Sequence, residues 1–244
     1  MKKVKYFLIS FLFFQLSLCA KENNFEKSYQ NYLEQFYIAQ ETPKNEAIEL
    51  YTKCKDLYEK EKSEKNLINY INSCTLLSKI YSSGQMGEYK EIVEGFYDEI
   101  VTYLNIKKIS NKLLFTISDY IYSEFAWKKD TSKNVSVLHN IYRKILSKEK
   151  NNEKALLKLS LWYIYASNYN TSNWNAFIIQ QEEKIETLNK TDKFDAYLLY
   201  SIFYLRNYNT QKSKLYLEKA KQLYIDNPNS YILEHNFSKG IKGW

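Results

Sequence analysis

The chain has 244 residues, with 35 Lys and Arg against 28 Asp and Glu and a formal net charge of +7. Five Gly and two Pro fall far below average usage, which argues against turn-rich β architectures and glycine phosphate loops. Lysines alternate with glutamates, as in Glu59-Lys60-Glu61-Lys62 and Lys148-Glu149-Lys150, and no dense basic block carries interleaved aromatics, so no nucleic-acid partner is expected.

Residues 1–20 read as an export signal. Lys2, Lys3 and Lys5 form a positive start, and the apolar run from Tyr6 to Leu18 is too short to span a membrane. Cleavage could follow Cys19 or Ala20. In a third reading, Leu16-Ser17-Leu18-Cys19 is a bacterial lipobox with Cys19 acylated, although Leu18 stands where that pattern wants a small residue. Without the three leader lysines the mature chain is only mildly basic. Its richness in Lys, Asn, Ile and Tyr is what AT-rich bacterial genomes encode.

Beyond the leader, apolar residues recur at three and four positions, the helical period. The 24 Tyr suit long helices that pack a thin core while keeping wet hydroxyls. Five helical hairpins are predicted within a domain spanning 21–228. They pair 25–41 with 44–62, 66–82 with 87–104, 112–128 with 134–148, 153–167 with 173–188, and 193–206 with 210–225. Pro43 falls near the start of a helix, and Asn, Ser and Thr in the turns can cap the helices that follow. Residues 229–244 form a tail after a stop at Pro228.

Small residues sit at a recurring place in the first helix of each later hairpin: Leu77-Ser78 with Tyr81, Tyr122-Ser123 with Ala126, Leu159-Ser160 with Tyr163, and Tyr200-Ser201 with Tyr204. Ser213, Leu217 and Ala220 follow on the last second helix. The pattern resembles the tetratricopeptide (TPR) family, in which helices approach closely where no side chain intervenes. The spacing of 45, 37 and 41 between the small residues departs from the family's 34-residue repeat. The resemblance implies an all-α fold, an array of antiparallel helical hairpins in a right-handed superhelix.

It also implies a partner groove lined by the first helices. Carried over, the groove positions are Asn72, Thr75 and Lys79, then Ile117, Tyr120, Glu124 and Trp127, then Leu157, Leu161 and Ile164, then Leu198, Ile202 and Leu205. The groove would run from polar to apolar and dock an apolar helix or an extended peptide. Alternatively the tail, with Tyr231, Ile232, Leu233 and Phe237, folds back and fills it. The lysine and asparagine clamp of chaperone-binding members is not reproduced.

Cys54 and Cys74 lie ten residues either side of a turn, so they face one another in an antiparallel pair. They form a disulfide if the helices cross closely, and otherwise remain two buried thiols. Neither His139 nor His235 sits at metal spacing with other ligands, and no nucleophile elbow, P-loop or HExxH motif appears. Glu182-Glu183 reads as a solvated face. No catalytic residue, metal or cofactor is therefore assigned. The expected function is a non-enzymatic adaptor in a bacterial envelope, in the periplasm or at the outer membrane. It would bind another envelope protein and could be tethered by an N-terminal lipid. Its alternatives are a surface lipoprotein that binds a host factor and, less favoured, a helical hydrolase.

Overall fold

The computed structural model describes residues 25–38, 44–82, 90–124, 132–166 and 174–241. Of these, 86% are helical and none is in a strand, so the fold is all-α. Residues 1–20, read above as an export signal, with Cys19 among them, and Trp127 lie outside the described residues.

In chain order the helices are α1 (25–38), α2 (Lys44–Lys60), α3 (Glu64–Ser82), α4 (Lys90–Thr102), α5 (Asn111–Ser123), α6 (Ser132–Lys148), α7 (Glu153–Tyr165), α8 (Asn175–Gln180), α9 (Lys190–Arg206), α10 (Thr210–Leu223) and α11 (Pro228–Ser238). Their starts follow from capping chemistry. Ser110, Asn152, Asn189, Asn209 and Asn227 each accept a backbone N–H from the first turn of the helix they precede. Pro228 does not end the array; it occupies the first turn of α11, where its missing N–H costs nothing. The tail is therefore largely helical.

The predicted helix over 173–188 is broken into α8 and a 3₁₀ turn at Glu182–Thr187. The tighter winding brings residues three apart onto one face. Ile185 is thereby buried while Glu182 meets donors on α9 and α10.

Consecutive helices pack on each other in the pairs α2–α3, α5–α6, α6–α7 and α9–α10, and α3–α5 and α7–α9 join alternate helices. The small residues sit at these crossings. Ser78, Ser123, Ser160 and Ser201 are all buried, and the Ser123 hydroxyl bonds that of Ser78 at 2.9 Å, joining α5 to α3. Ser201 Oγ donates to Ser213 O at 2.8 Å, joining α9 to α10. A larger side chain at any of these points would push the helices apart. The core runs through the whole array, with Tyr70, Tyr120, Tyr200 and Phe194 among its largest enclosed side chains.

Helix α1 buries Tyr29, Leu33, Phe36 and Tyr37, one face of an amphipathic helix. That face meets the far end of the chain. Tyr37 packs edge-on against Phe194 of α9, and its hydroxyl donates to Asp195 at 2.7 Å. Lys190 bonds Glu34, and Tyr224 donates to Glu34 at 2.6 Å. Asn227 caps α11 with its carbonyl oxygen and donates from its amide to Tyr37 O at 2.7 Å, satisfying one of the open carbonyls at the end of α1. No described helix is long and apolar enough to cross a membrane.

Candidate functional site

The alternate helices α3, α5, α7 and α9 and the α1 helix enclose a cavity of about 470 Å³, to which α6 adds Leu138 and Tyr142. That is the size of a small-molecule site, about 300–1,000 Å³. Its walls carry charge of both signs. Lys158 of α7 reaches between two carboxylates, 3.2 Å from Asp119 of α5 and 3.1 Å from Asp192 of α9. One helical turn along α9, Asp195 accepts from Tyr37, while Lys79 of α3 donates to the same Tyr37 oxygen at 3.0 Å and lies 4.0 Å from Asp195.

The two aspartates of α9 are pushed in opposite directions. Burial would raise Asp192, but the Lys158 ammonium, bonded to it, holds it below its ordinary value. Burial raises Asp195, and the Asp192 charge pushes the same way; Lys79 and the Tyr37 hydroxyl oppose the rise without cancelling it. Burial also penalises the Lys158 charge, yet Asp119 and Asp192 more than restore it, so Lys158 stays firmly protonated. Lys158 thus bridges Asp119 and Asp192 while Lys79 faces Asp195, so none of these three carboxylates stands free as a base. Tyr29 and Tyr37 are held protonated chiefly by burial, so their hydroxyls remain donors.

The predicted groove residues divide sharply. Asn72, Thr75, Lys79 and Leu161 line the cavity. Ile117, Tyr120, Glu124, Leu157, Ile164, Leu198 and Ile202 do not: they are buried within the helix packing. Leu205 is half-buried and also away from the cavity. Glu124 is fully enclosed, accepting from Tyr120 at 2.5 Å and from Asn134 of α6 at 2.8 Å. The face that lines the cavity is rotated from the predicted one. It carries Phe115, Thr116 and Asp119 on α5, Lys154 and Lys158 on α7, and Thr191, Asp192 and Asp195 on α9. The predicted shift toward an apolar end is thereby corrected: the α7 and α9 walls are charged. The charged residues at regular helical spacing, Lys154 with Lys158 and Asp192 with Asp195, were the available signal; the family register pointed past them to the apolar stripe.

The alternative occupant, the tail, does not enter this cavity. None of the described tail residues lines the cavity, whereas α1 supplies Glu26, Tyr29, Gln30, Leu33 and Tyr37.

Three further expectations meet the structure. Cys54 and Cys74 are unbridged, buried thiols, and burial pushes Cys54 up to about 12. Glu182 is not a solvated face: it accepts from Tyr204, from Tyr216 at 2.5 Å and from Lys212 at 3.2 Å, binding the 3₁₀ turn to α9 and α10. Glu183 is exposed. His139 packs against Trp162 with the rings tilted and their centres 4.7 Å apart, a packing role. Among the described residues no group of three His, Cys, Asp or Glu side chains gathers as a metal site. Comparison with protein-family models, curated proteins and solved structures finds no match.

Proposed function

We propose that the protein is a non-enzymatic interaction scaffold exported to a bacterial envelope. In this reading it is a TPR-like array of antiparallel hairpins that takes a helix of another envelope protein where α1 now lies. The observation that carries the reading is α1 itself. A helix remote in sequence is seated between α3 and α9 by four apolar side chains and by bonds to Asp195, Lys190, Tyr224 and Asn227. A surface that holds one amphipathic helix in this way has the chemistry to hold another. The buried serines at the helix crossings support the hairpin array, and the basic start and short apolar run of residues 1–20 support export. Acylation of Cys19 would supply the membrane tether.

Burying the four apolar side chains of α1 is worth about 6–12 kcal/mol before ordering costs. A tethered helix also competes at an effective concentration on the order of millimolar. A partner therefore enters when its helix makes more contacts than α1, or when α1 is weakened. The test is a photocrosslinking residue at Thr75, on the cavity wall, in living source cells. An adduct with one envelope protein, strengthened by Leu33→Ala, is expected. Crosslinks confined to α1 in both forms would overturn the reading.

A further inference from the structure

The cavity beneath α1 has properties that a helix partner does not explain. Its lining carries four lysines against four acidic residues, and the most deeply placed are paired, Lys158 with Asp119 and Asp192 and Lys79 with Asp195. A strongly charged ligand would have to break one of these pairs and strand a buried charge, which is costly. Charge balance thus selects a neutral occupant.

The hydrogen-bonding capacity, in contrast, is not used up. An ammonium has three donors, and a carboxylate has about four acceptor positions. Beyond its bonds to Asp119 and Asp192, Lys158 retains a third donor, and each of these carboxylates retains acceptor positions. The occupant must therefore both donate and accept while carrying no net charge, and a hydroxyl does both. The same walls include the aromatic rings of Tyr142 and Trp162, against which an apolar C–H face can lie.

From this combination we infer that the cavity is a binding site for a neutral polyhydroxyl compound of mono- or disaccharide size, with α1 as one wall. The inference stands apart from partner capture, since it concerns the space left when α1 is in place.

The test uses the full chain and a panel of glucose, N-acetylglucosamine, maltose and trehalose, with glucuronate and glucosamine as charged counterparts. Binding is read by the fluorescence of Trp162, which borders the cavity and is fixed by its bond to Val135 O at 2.8 Å, with Trp162→Phe as the control. A second readout is amide exchange in 25–38, which should slow because α1 supplies Tyr29 and Tyr37 to the site. At least one neutral sugar should saturate both signals and bind at least tenfold more tightly than its charged counterpart. Lys158→Met, which removes the third donor, should weaken it at least tenfold in a chain that circular dichroism shows to be folded. No saturable response across the panel would mean that the cavity holds only water. Tighter binding of glucuronate or glucosamine would mean a charged ligand. Either result overturns the inference.

Discussion

Lys158 joins α7 to α5 and α9 through two carboxylates, so removing its charge tests the charged interior directly. Lys158→Met keeps most of the aliphatic reach and deletes the ammonium that lies 3.2 Å from Asp119 and 3.1 Å from Asp192. Breaking a buried ion pair by deleting one partner costs about 3–5 kcal/mol. The Lys158 side chain is 12% exposed, but Asp119 is 36% exposed, so water screens part of the loss and about 2–3 kcal/mol is expected. For a chain of this size that lowers the melting temperature by roughly 4–12 °C at neutral pH. The pH dependence is the sharper signature. Asp192 lies below its ordinary value in the folded protein, so its contribution is present above the unfolded-state pKa and is lost as pH falls through the folded value. In Lys158→Met the carboxylates gain stability on protonation, so the gap from wild type should narrow as pH falls from about 7 to about 3. Melting followed by circular dichroism across this range measures the gap. A difference under about 1 kcal/mol at neutral pH, or one that does not change on acidification, would refute the account of a matched buried pair.

The other predictions concern three different links. Asp195 has a raised folded-state pKa, so its favourable contribution is present below the unfolded value and is lost as pH rises through the folded value. Asp195→Asn mimics the protonated acid, so its stability relative to wild type should be more favourable at neutral pH than in acid, where Asp195 itself becomes neutral; equal pH profiles would contradict the raised value. Ile117→Ala should cost about 2–5 kcal/mol in denaturant titrations, because Ile117 is fully enclosed rather than on a groove wall, and a cost under about 1 kcal/mol would return it to the surface. In a Cys19→Ser background, Cys54 and Cys74 should resist thiol reagents at neutral pH until the chain unfolds, since burial keeps both protonated; rapid native labelling would show that α2 and α3 open locally.

The sequence by itself determined the helices and most of their ends. Apolar spacing set the period, and Asn and Ser at the turns supplied caps whose action is local, as at Asn209 ahead of α10. It also located the close crossings, because a buried Ser at 78, 123, 160 or 201 is legible wherever large apolar residues surround it. Tertiary structure decided what local pattern could not encode. Helices α5, α7 and α9 are enclosed on more than one side, so their apolar residues span several faces and do not say which face borders open space. Only the packing of α3, α5, α7 and α9 together turned Lys158 toward Asp119 and Asp192 and left Ile117 and Ile202 inside. The meeting of α1 with α9 and Asn227 joins residues up to 190 positions apart. No periodicity reports such a contact, because amphipathic helices bury their apolar faces against whichever surface the folded chain brings to them.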